Sequence, residues 1–95
     1  MASRPQAVPT VQVENERVIV TEWRFAPGAE TGAHRHGYDY VVTPMTHGTL
    51  LLETPEGDRY ATLVPGQSYF RPAGIEHNVI NAGDQELVFV EVEIK

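Results

Sequence analysis

The sequence predicts an all-β fold, a compact antiparallel barrel made by one domain. Three observations lead there. Short β-rich runs alternate in polarity, Pro and Gly interrupt the chain every few residues, and no stretch sustains the i, i+3, i+4, i+7 apolar spacing of a helix. With 95 residues there is room for one core, and with 41% apolar residues the chain is composed like a globular protein rather than a disordered one. A domain of this size buries only about 60–65% of its unfolded surface, so a bound metal or a second copy would add to a modest stability.

The elements follow in order. Residues 1–9 carry one Arg, two Pro and no apolar run, and read as a flexible arm rather than a secretory signal or membrane anchor; the barrel takes residues 10–95. Runs at 10–14 and 17–25 come first. In the second, Ile19, Thr21, Trp23 and Phe25 form one face, assigned to the core, and Val18, Val20, Glu22 and Arg24 the other. Pro27-Gly28 ends it. A strand at 38–45 and a tight turn at Thr46-His47-Gly48 precede runs at 49–54 and 59–64. Those two flank Pro55-Glu56-Gly57-Asp58, with Pro second and Gly fourth in Thr54–Gly57, a type I turn signal, so they read as a hairpin. Short strands at 68–71 and 76–81 follow, bounded by Pro72-Ala73-Gly74 and Ala82-Gly83-Asp84. The last strand, 86–94, sets Val88, Val90, Val92 and Ile94 against Leu87, Phe89, Glu91 and Glu93. Eight or nine short strands make a barrel.

Composition excludes several functions. The net charge is −6 with seven Lys and Arg, which argues against nucleic acid and against anionic membranes and leaves a small molecule as the expected partner. There is no cysteine, so disulfides, thiolate metal sites and cysteine nucleophiles are out, and a reducing cytoplasm is the expected location. Ser3 and Ser68 lie in no triad pattern.

The chemistry lies in the histidines. His34 and His36 are two apart, so on an extended chain both imidazoles point the same way and can reach one ion. A Pro/Gly turn, Pro72-Ala73-Gly74, delivers His77 to the start of a strand that an antiparallel barrel can place opposite that pair. Neutral imidazole suits Zn, Cu, Fe and Ni, and three of them leave positions open for water or substrate. His47, the fourth histidine, falls in a turn and reads as exposed.

These segments resemble the paired motifs of the cupin superfamily. Gly28, His34, His36 and Gly48 match the first motif; Gly66, Pro72, Gly74, His77 and Asn81 match the second, and together they run from 28 to 81. The stretches TEWRFAPGAETGAHRHGYDYVV and SYFRPAGIEHNVIN are similar to small single-domain cupins labelled as β-alanine-degradation proteins. The resemblance implies a small jelly-roll barrel with one divalent transition metal ion (Fe, Mn, Zn or Ni) at one end, on His34, His36 and His77, and a homodimer paired through edge strands. The Val-rich last strand is expected to supply buried surface. It also implies a metal-dependent enzyme of small organic acids, oxygenase-like and in particular a dioxygenase. A non-catalytic metal and small-molecule binding module, and a Lewis-acid isomerase or lyase, stay open, as does whether the chain is an enzyme.

One departure matters. Cupins usually carry a glutamate ligand that six residues separate from the first motif's last glycine, and Val41 stands there; Tyr40, the alternative counting forward from His36, is no carboxylate either. Asp39 is left as a hydrogen-bonding neighbour or fourth ligand. Tyr38, Tyr40, Tyr69 and Phe70 read as core aromatics before pocket walls. Arg71 reads first as half of a surface salt bridge, with a clamp for a substrate carboxylate as the alternative. Glu76 should face away from the ion, and Asn81 should cap a turn. Gly28, Gly48, Gly66 and Gly74 are expected to serve turns of positive φ.

Overall fold

The computed structural model describes residues 3–95. Nine strands follow in order: β1 (Val8–Glu14), β2 (Val18–Phe25), β3 (His34–Arg35), β4 (Asp39–Pro44), β5 (Gly48–Thr54), β6 (Gly57–Leu63), β7 (Tyr69–Arg71), β8 (Glu76–Asn81) and β9 (Leu87–Ile94). They form two antiparallel sheets, ordered β1-β2-β9-β4-β7 and β3-β8-β5-β6, that close on each other as a jelly-roll barrel. Among the described residues no helix is long and apolar enough to cross a membrane.

Cross-strand register decides which side chains look inward, because directly paired residues share a sheet face. Phe25 pairs with Leu87, Trp23 with Phe89 and Thr21 with Glu91. Phe25, Leu87 and Phe89 are buried, and the Phe25 and Phe89 rings lie 5.4 Å apart. The odd face of β2 is therefore the core face, as its Trp and Phe predict. In the second sheet Leu50 pairs with Ala61 and Asn81, and Leu52 with Arg59 and Val79, which fixes a second inward face. Each fully buried Phe or Leu contributes roughly 1.5–3 kcal/mol of transfer free energy, so this double lining is the main force closing the barrel.

The last strand turns its carboxylates, not its valines, into the barrel. Its inward face is Leu87, Phe89, Glu91 and Glu93, while Val88, Val90, Val92 and Ile94 look away from the barrel, with Ile94 exposed. Pairing decides the matter: Glu91 faces inward because Val42, buried beside it, does, and β-propensity alone cannot separate two faces that both hold large side chains.

The arm expected over residues 1–9 begins outside the described residues, and from Pro5 onward the chain is tied to the barrel. Glu30 donates its backbone N–H to Pro5, Ala7 donates to Glu30, and Ala7 is buried. Strand β1 starts at Val8, inside the span read as arm.

Two glycines of the motifs serve different needs. Gly74 sits at φ 93° in the turn before β8, a left-handed conformation that a side chain would strain. Gly48, expected to need the same freedom, has no positive φ. It opens β5, where a Cβ would overlap Leu87 Cδ1, so its requirement is space.

Candidate metal centre

Three histidines meet at one end of the barrel. His34 on β3 is paired directly with His77 on β8, which puts both rings on the inward face. His36 follows β3, held there because its N–H donates to Ile75 and its carbonyl accepts from Gly74. The Nε2 atoms of His34 and His36 are 3.0 Å apart, and so are those of His36 and His77. Ring centroids are separated by 4.7, 4.7 and 5.0 Å, with the planes crossing at 79°, 69° and 85°, so the rings converge edge-on without stacking. All three donor atoms lie within 4.8 Å of one another. Nitrogens at this spacing suit bonds of roughly 2.0–2.1 Å to a shared ion.

The donor chemistry fits a cation. His34 Nδ1 lies 2.8 Å from the carbonyl oxygen of Gly32, which can only accept, so Nδ1 carries the proton and Nε2 presents its lone pair to the cluster. Burial and then the charge of His34 hold the His36 imidazole down at about 4, and burial, His34, His36 and Arg71 in turn hold His77 at about 4. Lone pairs thus face lone pairs across a few ångströms, an arrangement that a proton or a metal must complete. His47 is exposed and takes no part.

The supports come from distant segments. Asn78, next to His77, accepts the Gly32 N–H through Oδ1 at 3.0 Å and donates through Nδ2 to Glu30 at 2.8 Å and Glu53 at 2.9 Å. Arg4 closes the network on both carboxylates, at 3.2 and 3.4 Å. Asn81 caps the Ala82-Gly83-Asp84 turn as expected: Oδ1 accepts from Gly83, and Nδ2 donates to Gln85 and Phe25.

Asp39 does not reach the histidines. It starts β4 on the outward face, and its Oδ1 accepts the Ala73 N–H at 2.8 Å, bracing the turn before His77. Of the two positions where cupins carry a glutamate, Val41 faces out with Asp39 and Tyr40 faces in. The buried Tyr40 ring stacks on His36, centroids 3.9 Å apart and planes 25° apart. Burial, ahead of Glu91, raises its phenol far above the ordinary value.

Sequence reasoning missed two carboxylates. Glu91 and Glu93 face inward on β9, and with His36 they form a second group whose ligand atoms lie within 4.8 Å of one another. Burial pushes the Glu91 carboxyl up to about 7, Glu93 adds to this, and hydrogen bonding from Trp23 opposes it. The available signal was alternation: both share a face with Leu87 and Phe89.

Two cavities adjoin the histidines. One of about 290 Å³ touches His34, His36, Trp23 and Glu93. The other, about 730 Å³, runs between the sheets past His77, with Val42, Leu52, Val79 and Phe89 among its walls and Tyr40, Tyr69 and Arg71 along one side. Tyr40 and Tyr69 are thus both core and wall, whereas Tyr38 and Phe70 are exposed. Arg71 makes no salt bridge among the described residues. It is paired with Tyr40 on the inward face, and its guanidinium carbon lies 4.7 Å from the Tyr69 ring centroid. Glu76 faces outward opposite Arg35.

A family model describing the cupin domain matches residues 21–93. The chain belongs to the cupin family. Beta-alanine degradation protein BauB of Pseudomonas aeruginosa is 78% identical to this cupin over 95 residues, covering 100% of both chains. A cupin domain from Bordetella pertussis Tohama I superposes with a TM-score of 0.98 at 66% identity, covering 100% of this chain and 99% of that one. The polyketide cyclase RemF from Streptomyces resistomycificus shares the fold, with a TM-score of 0.73 at 22% identity over 98% of this chain and 70% of its own.

Proposed function

We propose that this cupin is a metal-dependent enzyme of the oxygenase type acting on a small organic acid, with one divalent ion on His34, His36 and His77. The observation that carries the reading is the convergence of three imidazoles on one point beside a cavity of substrate size. When bound, such an ion would supply Lewis acidity and open positions, and iron would bind dioxygen there while the organic acid itself is oxidised and provides the electrons. The chain's own residues do the rest. Gly32 and Asn78 fix the His34 ring and its tautomer, Tyr40 packs against His36, and Val42, Leu52 and Phe89 give the cavity an apolar wall for the carbon part of a substrate. The name of the Pseudomonas relative supports an acid from β-amino acid breakdown. A pocket lined by apolar residues alone would favour a binding module; Arg71, Tyr69 and Glu91 on the lining favour an enzyme.

Metal analysis of freshly purified protein comes first, followed by oxygen uptake after anaerobic loading with Fe(II) and addition of β-amino and β-keto acids. Uptake that needs both iron and acid, and that His77→Ala abolishes, is the expected result. Zinc or nickel as the native ion, with no uptake, would move the reading to isomerase or lyase chemistry.

We also propose that the protein is a cytoplasmic homodimer joined through β1, with a small molecule and neither nucleic acid nor membrane as its partner, in keeping with a net charge of −6. Strand β1 is a sheet edge exposed along its length, and it presents Val8, Val11 and Val13. Such an edge invites pairing with another chain. Light scattering should give twice the mass of one chain, and Val11→Asp with Val13→Asp should return the monomer; a monomeric parent protein would end this proposal.

A further inference from the structure

The larger cavity carries a charge contrast that metal binding does not use. In a chain with 13 acidic and seven basic side chains, Arg59 and Arg71 both line this cavity, and neither has an acidic partner among the described residues. Register puts both on inward faces, Arg59 beside Leu52 and Arg71 beside Tyr40, and both are exposed, so they stand at its rim. Arg71 is also set in place: it lies over the Tyr69 ring, and Nη1 donates to the Phe70 carbonyl at 2.9 Å, which leaves the rest of its donor fork free. None of the acids on the lining forms an ion pair with it. Glu76 is on the outward face, Glu56 is in the β5–β6 turn, and Glu91 lies two strands from β7.

Val42, Leu52, Val79 and Phe89 give the same cavity a run of aliphatic and aromatic wall, and His77 lies on its lining with them. A volume of about 730 Å³ is within the range of roughly 300–1,000 Å³ that encloses drug-sized ligands, and a three-carbon acid leaves most of it as water against apolar surface.

We propose that this cavity takes an amphipathic monocarboxylic acid, its carboxylate on the exposed Arg71 guanidinium and an apolar body of several carbons laid along Val42, Leu52, Val79 and Phe89, with His77 on the same lining. This rests on the proposed enzyme reading and deepens it: the acid is held by arginine, so the open positions of the ion stay free for the reacting carbon. Within that class of acids, β-alanine and other three-carbon members then bind more weakly than members with a longer apolar body.

The test is calorimetric binding of straight-chain carboxylates from propionate to decanoate, with β-alanine alongside, to protein stripped of metal and to protein loaded with Co(II). Affinity should rise about fourfold per methylene, the value for apolar burial, until the cavity is filled. Arg71→Gln should weaken octanoate about tenfold or more and leave 1-octanol unchanged, while Arg71→Lys keeps part of the preference for the acid. Ala61→Phe, which narrows the cavity, should cost the long acids more than the short ones. β-Alanine or propionate binding as tightly as octanoate would overturn the proposal, and so would an Arg71→Gln protein that binds octanoate like the parent. Because the series is read on stripped protein, its outcome is separate from that of the metal reading, which fails instead if Co(II) does not bind.

Discussion

Metal-free protein should lose stability as pH falls from about 7 to about 4.5, because two buried imidazoles refuse protons that the unfolded chain accepts. His36 and His77 each go from 6.5 to about 4 on folding. Their contribution is complete above 6.5 and drains away toward 4. Each fall corresponds to roughly 3 kcal/mol. Water in the adjoining cavities screens the rings, which brings this to roughly 1–2 kcal/mol apiece. Glu91 acts in the opposite sense. Its carboxyl rises from 4.5 to about 7, so the stability it adds is present below 4.5 and lost as pH climbs through 7. Its magnitude matches that of one ring, so two imidazoles outweigh one carboxyl, and roughly 1–2 kcal/mol disappears. Glu93, raised mainly by burial, sides with Glu91; Glu30, lowered mainly by the Asn78 hydrogen bond, sides with the histidines. For a domain of this size the melting temperature should drop by roughly 5–15 °C. Urea unfolding of chelator-treated protein at about pH 7 and pH 4.5 reads the difference. Glu91→Gln should steepen the loss, and His36→Gln with His77→Gln should flatten it. Stability equal or higher at pH 4.5 in the parent protein would refute the reasoning.

Further outcomes follow from packing and from the donors. Gly48→Ala should cost about 1–3 kcal/mol through overlap with Leu87, and pairing it with Leu87→Val should recover part of the loss in a double-mutant cycle by chemical denaturation. Asn81→Ala should cost about 3 kcal/mol, since it strips partners from the Phe25 and Gln85 carbonyls in a buried setting, and thermal unfolding will show it. His34→Ala should abolish stoichiometric Co(II) binding by calorimetry, whereas His47→Ala, in the exposed turn, should bind like the parent protein.

Much of the fold was legible because turn residues and alternation are local signals. Pro55-Glu56-Gly57 marks the β5–β6 hairpin, and the Trp and Phe of β2 mark its core face. The histidines were legible through spacing, since His34 and His36 two apart and His77 after a Gly turn need only an antiparallel pairing to meet, and β3 with β8 supplies it. What the sequence hid depended on partners far away in the chain. Glu91 and Glu93 face the histidines only because β9 pairs with β2 and β4 in one register. Arg71 faces the cavity only because β7 pairs with β4, and a lone Arg before a Pro carries no mark of that. Gly48 resembled its fellow motif glycines, although its need is room for Leu87.

The clamp that Arg4 makes on Glu30 and Glu53 ties the opening of the chain to the Asn78 side chain and, through Gly32, to the His34 ring. A change at position 4 therefore acts on the cradle of the ion although thirty positions separate it from His34, the first ligand. Arg4→Ala should take up Co(II) more weakly than the parent protein although every ligand is intact, while a change at the exposed His47 leaves uptake as it was.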